Sequence, residues 1–449
     1  MKTMTIQMAA EVCGGRLVGS GDGNIPLGRA IIDSRAVQPG DLFVAYRGEK
    51  TDGHKFINKA FENGAACALA EYLPEGTNGP VIVCDSVQTA LEKIAEAYRL
   101  SLSIPLVGIT GSVGKTTAKE MVSAVLSQKF NLLKTDGNLN NQIGVPMTVS
   151  RIEAEHEAAV VEMGISGFDE MRLLAKIARP TVAVFTVIGH AHLEFLHDLD
   201  GVFMAKTEML ELMENDAPVI FSGDDEMLCR LASRPNAISC GLGESCMVRA
   251  ENVQQLADST LCDIVYGDRR IKADIPAYGQ HMVYAALEAA AVGFVMGLSD
   301  AEIEAGIASY ETVGRRGVVT DTGFVTLVDD SYNANPDSMK CGIDSLLKLP
   351  GRRVCIFADM LEMGEDSPLM HYEVGQYARE KGVELLLCYG PLAVEFAKGA
   401  GDRGVHFETA SELEKALPEY LQKGDKVLVK ASRGMHLETV AEAIKLLKG

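Results

Sequence analysis

Apolar residues along this chain fall into short, nearly continuous blocks, separated by stretches in which apolar positions recur every three to four residues. The blocks at 42–46, 81–84, 106–109, 158–161, 182–188, 324–328, 353–357, 384–388 and 426–429 read as strands. The periodic stretches read as helices. One covers 55–66 and ends at Gly64; another runs over 89–100 through Leu91, Ile94, Ala95 and Tyr98. A third pairs Met121 with Val125 and Val122 with Leu126, and an alanine-rich fourth spans 283–295. Strands that are apolar throughout and alternate with helices predict parallel sheets covered on both faces. The stretch 250–275 is more polar and β-rich, and the first fifteen residues read as an amphipathic helix. Breaks at 101–105 and near Gly314 divide the chain into three α/β units, 1–103, 104–313 and 314–449.

Bulk composition narrows the class. With 449 residues, 47% hydrophobic and 23% charged, the chain has material for several cores. A formal net charge of −20 argues against a nucleic-acid partner, which requires a basic surface. The N-terminal stretch is interrupted by Glu11 and does not read as a signal peptide, and no apolar run approaches ~18 residues, so no membrane insertion and a cytoplasmic location are expected. Ten cysteines without a CxxC pair, most within apolar runs, read as reduced buried thiols.

The chemistry begins at 105–119, PLVGITGSVGKTTAK, where an apolar strand runs into a glycine-rich turn and then a helix. Such an order cradles phosphate on backbone N–H groups and a helix N-terminus, with a lysine for the outer phosphates and a hydroxyl for Mg²⁺. Gly111, Ser112, Val113, Gly114, Lys115, Thr116 and Thr117 are therefore candidate triphosphate-binding residues. The first glycine of a standard phosphate loop is replaced by Ile109. Glu162 closes the block 158–161, where a Mg²⁺ ligand belongs, or else caps the following helix. By residue type alone His192 reads as a structural or substrate-binding histidine, with His190 and His197 as competitors, and Lys206 as a solvated helical lysine. The loop 135–146 holds Asn138, Asn140 and Asn141, which serve either as turn residues or as contacts to a polar substrate. In DDSYNANPDSM, Asp330, Asn333 and Asn335 could bind a nucleoside, or the segment could start a helix capped by Asp337; Arg315 upstream could bind phosphate.

Together, GITGSVGKTT, TDGNLNNQIGVPMT, VVEMGISG, GHAHLEFL, MAKTEM, GQH, VGRR, DDSYNANPDSM and KASRGMHLE resemble the Mur ligase family, in the family's order and over nearly the whole chain. NLNNQIGVP, AHLE, ADMLEMGEDSPLMH and KASRGM are most similar to its last cytoplasmic member, and 33–65 is similar to a UDP-binding domain. The resemblance implies a small UDP-binding domain, a central P-loop-type ATPase domain and a C-terminal Rossmann-like domain. It implies a monomeric ATP- and Mg²⁺-dependent amide ligase that adds D-alanyl-D-alanine to UDP-N-acetylmuramoyl-tripeptide through an acyl phosphate. It further implies that Lys115, Glu162, His192 and Lys206 are catalytic. Thr116, Glu162, His192 and Lys206, the last as a carbamate, would hold Mg²⁺. His281, Asp330, Asn333 and Asn335 would contact the nucleoside and Arg315 its phosphates. Ser34 and Arg35 would bind the UDP moiety, and Asn138, Asn140 and Asn141 the substrate. Four positions depart from the family pattern: Val187 replaces asparagine, Ala285 replaces the asparagine four residues after His281, Gly317 replaces a glutamate, and His197-Asp198 replaces Gly-Ser. A sibling ligase, such as a folylpolyglutamate synthase, and a non-catalytic nucleotide-binding paralogue are the competing readings.

Overall fold

The computed structural model describes residues 1–48, 51–256 and 259–448; Glu49 and Lys50 of the UDP-type motif, Ala257 and Asp258 of the β-rich stretch, and Gly449 lie outside the described residues. Three sheets organise the chain. The first has five strands in the order Arg16–Val18, Val81–Val83, Cys67–Ala70, Leu42–Val44, Ala30–Ile31, all parallel except the edge strand Arg16–Val18. The central sheet has nine strands, with Leu106–Thr110 flanked by Ala158–Glu162 and Val182–Phe185. The third has six, with Lys426–Lys430 between Thr326–Asp329 and Arg353–Ala358.

Two expectations need correction. The central sheet is mixed: Thr260–Tyr266 and Arg269–Ile275 extend it antiparallel beyond Val248–Gln255. In Arg269–Ile275 every second residue is buried, the mark of strands with one wet face. The apolar run 182–188 is a strand only to Phe185; beyond it the backbone leaves the sheet to bond the glycine-rich loop, Val187 O accepting from Ser112 N at 2.8 Å. Short strands at Leu132–Lys134, Val219–Ser222, Ala237–Gly241 and Val318–Asp321 lacked a sequence signal long enough to detect. Among the ten free cysteines, Cys229 and Cys341 are exposed and eight are buried.

The first two units share one apolar core. Leu42, Leu69, Ile82, Leu91 and Tyr98 belong to the same cluster as Val145, Val161, Leu174, Phe185 and Phe221. Polar ties reinforce it. Ala30 N donates to Ser150 Oγ at 2.9 Å, Gln88 Nε2 to Gln142 O at 3.0 Å, and the Tyr98 hydroxyl to Ile152 O. The helix Val87–Leu100, capped by Ser86, carries in its last turn Arg99, which is 4% exposed. Its guanidinium donates to the carbonyls of Ala178 (2.8 Å), Leu102 (3.2 Å), Ile104 (3.0 Å) and Arg179 (3.3 Å), binding the inter-unit linker to the end of the helix Glu170–Ala178. The third unit keeps its own cores on the two faces of its sheet. It meets the central unit through Met370 and through polar pairs.

Removing the Arg99 side chain strands four carbonyls inside the protein. Arg99→Met should therefore lower stability by about 2–4 kcal/mol, read as a drop in urea midpoint, with Arg99→Lys recovering only part because one ammonium cannot span four acceptors. An unchanged midpoint would show that the linker is held by apolar contacts alone.

Candidate active site

The glycine-rich loop leaves the buried strand Leu106–Thr110 at its C-terminal end. Ile109, at the position of the missing glycine, is fully buried within that strand. Gly111 has φ 152°, and a Cβ there would lie 2.0 Å from Thr186 Oγ1, so no side chain fits. Gly114 takes φ 86° at the N-cap of the helix Lys115–Leu126. Thr186 Oγ1 donates to Val113 O at 2.5 Å, and Ser112 Oγ exchanges bonds with Gly189 at 2.9–3.0 Å. Because Val187 acts through its backbone carbonyl, its departure from asparagine leaves the loop's support intact. Lys115 Nζ folds back onto the carbonyls of Gly111 (2.7 Å) and Ser112 (3.4 Å). Burial lowers its pKa; Glu162 opposes that and Arg316 adds to it. Thr117 follows Thr116 in the first turn of the same helix.

Glu162, 2% exposed, gathers this end of the sheet. Its Oε2 accepts from Thr116 Oγ1 at 2.9 Å, its Oε1 from Asn140 Nδ2 at 2.7 Å, and its backbone N donates to Thr135 Oγ1 at 3.1 Å. The buried Lys119 ammonium stands 3.9 Å from Oε2, while bonding Thr135 O at 3.0 Å and Glu120 at 2.8 Å. Lys119 escaped the sequence reading; its spacing of four from Lys115, which places both on one helix face, is the signal that could have found it. The three asparagines divide. Only Asn140 reaches Glu162, Asn141 Oδ1 accepts from the N–H groups of Ile143 and Gly144 at the start of the helix Gly144–Ser150, and Asn138 is exposed.

Lys206 is not the solvated lysine its helical setting suggests. It is fully buried, its Nζ has no hydrogen-bond partner among the described residues, and burial with the nearby Lys115 charge drives its pKa well below 10.5. Burial thus favours the neutral amine over the ammonium, because an uncompensated buried charge is far costlier. The oxygens of Thr116 and Glu162 are hard donors suited to Mg²⁺. Among the described residues no group of three or more His, Cys, Asp or Glu side chains is gathered to hold a metal ion. His192 instead reaches out of the central unit. It has φ 55°, and its Nδ1 lies 2.6 Å from Glu362 Oε2 of the third unit. His190 N donates to Asp337 Oδ2 at 2.7 Å, and its ring approaches the same oxygen at 3.1 Å.

That pairing corrects the expected helix cap. Asn335, not Asp337, caps Pro336–Leu347 in a reciprocal pair with Ser338, leaving Asp337 free to bridge to His190. Asp330 Oδ2 accepts from the buried Lys430 at 2.6 Å, and Lys430 also bonds Asn333 O at 3.0 Å. His281 opens the helix His281–Val295, and Asp330 and Lys430 are among the charges that act on it. Ala285 is 4% exposed, turned into the core. Arg315 is spent within the third unit, on Asp329 (2.9 Å) and Glu442 (2.8 Å). Its neighbour Arg316 lies over the Tyr332 ring at 3.6 Å and has no ion-pair partner among the described residues. In the first unit Ser34 is buried, its carbonyl accepting from Asn63, while Arg35 extends outward in a two-pronged pair with Asp33, whose pKa that pairing lowers to about 2.

Three family models match the chain: "Mur ligase family, catalytic domain" over residues 30–104, "Mur ligase middle domain" over 109–293, and "Mur ligase, glutamate ligase domain" over 314–433. The UDP-N-acetylmuramoyl-tripeptide–D-alanyl-D-alanine ligase of Bacillus subtilis is 34% identical, covering 98% of this chain and 97% of its own. A MurF crystal structure from Acinetobacter baumannii superposes with TM-score 0.89 at 28% identity, covering 98% of both chains. A Thermotoga maritima MurF ligase in complex with ADP gives 0.83 at 29%, covering 93% of this chain and 97% of that one. Full-length relatedness at this level, over a phosphate loop and carboxylate assembled as described, places the chain in the Mur ligase family.

Proposed function

We propose that this chain is an ATP-dependent ligase that joins D-alanyl-D-alanine to UDP-N-acetylmuramoyl-tripeptide, the units 1–103, 104–313 and 314–449 serving the UDP end, the triphosphate and the incoming dipeptide. The observation that carries the reading is the group formed by the half-buried Lys115 and the buried Thr116, Glu162 and Lys206, the last without a hydrogen-bond partner among the described residues, at the C-terminal edge of the parallel part of the central sheet. A carboxylate must be phosphorylated before an amine displaces oxygen from it, and charge builds on the phosphoryl oxygens as this happens. Lys115, released from the Gly111 and Ser112 carbonyls, reaches those oxygens, and the N–H groups at the start of Lys115–Leu126 face them. Thr116 and Glu162 supply two oxygen ligands for Mg²⁺, which when bound neutralises phosphate charge. Asn140 and Lys119 hold the Glu162 carboxylate in place for this task.

Lys206, whose neutral form burial favours, would add CO₂ with loss of one N–H proton to give a carbamate, an anionic oxygen donor where an ammonium would repel a cation. His192, on leaving Glu362, would join the carbamate as a ligand to a second Mg²⁺. Arg316, without an ion-pair partner among the described residues and within Coulomb reach of Lys115, is the better phosphate contact than Arg315, which Asp329 and Glu442 already hold. Asp330, Asn333, Asn335 and His281 line the nucleoside end, and Ser34 and Arg35 the UDP end. The protein works in the cytoplasm, as a monomer, and makes the last soluble precursor of peptidoglycan.

Two outcomes test this. Phosphate release from ATP and Mg²⁺ should require both the UDP-linked tripeptide and the dipeptide, and Lys115→Ala should lower it a hundredfold or more; release indifferent to the dipeptide overturns the reading. In CO₂-free buffer Lys206→Met should abolish turnover yet raise stability by about 1–3 kcal/mol, since it removes an orphaned buried amine. The sign with pH follows from the lowered pKa: the unfolded chain binds the proton the folded one refuses, so the wild type gains stability as pH climbs toward 10.5 and the variant lacks that gain. Turnover of Lys206→Ala should return in part with bicarbonate or a short carboxylate; no loss of turnover would remove Lys206 from the site.

A further inference from the structure

Two lysines and two glutamates of the central unit form a row of alternating charge that ends at Glu162. Lys134, half-exposed, closes the edge strand Leu132–Lys134, which pairs with the strand Ala158–Glu162. Its Nζ donates to Glu120 Oε2 at 2.5 Å. The other oxygen of Glu120 accepts from Lys119 Nζ at 2.8 Å, and Lys119 in turn stands 3.9 Å from Glu162 Oε2. Lys119 and Glu120 are both buried, at 1% and 8% exposure. Successive residues of a helix do not face each other, so helix geometry alone does not bring Lys119 and Glu120 together; Lys134 holds Glu120 from the far side. Thr135 braces the row laterally. Its carbonyl accepts from Lys119 Nζ at 3.0 Å, and its hydroxyl accepts from Glu162 N at 3.1 Å.

The gap between Lys119 and Glu162 stays open against a strong pull. A buried ammonium and a buried carboxylate attract where little water screens them, and left to themselves they close to hydrogen-bond contact. Lys119 does not close on Glu162, because Glu120 and the Thr135 carbonyl take two of its three N–H donors and set its position. We infer that Glu120 is a positioning residue for the cation site: it draws Lys119 back, so that Glu162 Oε2 keeps a lone pair open to Mg²⁺. This role rests on the triphosphate reading above and belongs to a residue that itself touches neither phosphate nor cation. Oε2 already accepts from Thr116 Oγ1 at 2.9 Å. A lysine bonded to the same oxygen would fill its remaining site and set a positive charge where the cation must sit. At 3.9 Å the ammonium still offsets the cost of burying the carboxylate, yet makes no hydrogen bond to it. Lys134 completes the arrangement, since a Glu120 held at both oxygens cannot follow Lys119 inward.

The test titrates Mn²⁺, standing in for Mg²⁺, into the full-length protein with ADP present and reads bound metal by electron paramagnetic resonance. Glu120→Met frees Lys119 to close on Glu162 and should weaken Mn²⁺ binding by about ten- to a hundredfold, the usual range for a group that supports a metal ligand. The double variant Lys119→Met/Glu120→Met has no ammonium to close the gap, so its affinity should return to near the wild-type value although it carries one more substitution. Phosphate release by Glu120→Met should recover as Mg²⁺ is raised, with KM for the UDP-linked tripeptide unchanged. Glu120→Gln keeps an acceptor for Lys119 but not the charge; it should weaken binding less, and it carries the comparison if Glu120→Met does not fold. Single and double variants weakened alike would reduce Glu120 to a packing role and overturn the inference, as would unchanged affinity in the folded single variants. Failure of the triphosphate reading itself would appear separately, as wild-type protein that takes up no Mn²⁺ beside ADP.

Discussion

The Glu162 carboxylate is the point on which the chemical end of this molecule depends. One oxygen is held by Thr116 from the phosphate-loop helix and the other by Asn140 from the asparagine-rich loop, with the buried Lys119 ammonium close by. Two segments separate in sequence are thereby fixed to the end of one strand. Burying a carboxylate at 2% exposure is tolerable only because each oxygen has a donor and a cation stands near. The same arrangement gives the group a use, since a carboxylate and a hydroxyl side by side are hard ligands beside a lysine aimed at phosphate.

The second constraint is how the three sheets are joined. The first and second share an apolar core and a buried arginine across their linker, so they behave as one body in packing terms. The third has closed cores of its own and meets the others largely through polar pairs such as His190–Asp337 and His192–Glu362. Polar pairs at a partly wet interface break and reform at small cost, whereas apolar cores do not. A ligase that must admit three substrates and then exclude water needs one joint of the weaker kind, and the His192–Glu362 contact lies at that joint.

Much of the fold could be read from the pattern of apolar blocks, because strands buried on both faces are apolar throughout and so stand out. The failures share a cause. Val219–Ser222 and Val318–Asp321 are four residues each, too short for a period to show, and the polar pair Thr260–Tyr266 and Arg269–Ile275 gave no hint of which sheet it would join. At the site, the phosphate loop and Glu162 were legible because their backbone setting is local: strand, tight turn, helix. Lys119, Arg316 and Glu362 were not, since a charged residue on a helix or in a loop looks the same whether it faces solvent or another segment.

By itself the sequence determined the strand–turn–helix of the phosphate-type loop, the division into three α/β units, and which family pattern the motifs follow, since each of these is written in contiguous residues. Only the tertiary structure decided that Lys206 is a buried amine without a partner among the described residues, that Arg315 is committed to Asp329 and Glu442 while Arg316 lies over Tyr332, and that Asn335 rather than Asp337 caps its helix. Those facts depend on which distant segment packs against each side chain, and the free energy of a buried charge is set by that neighbour rather than by the residue's place in the chain.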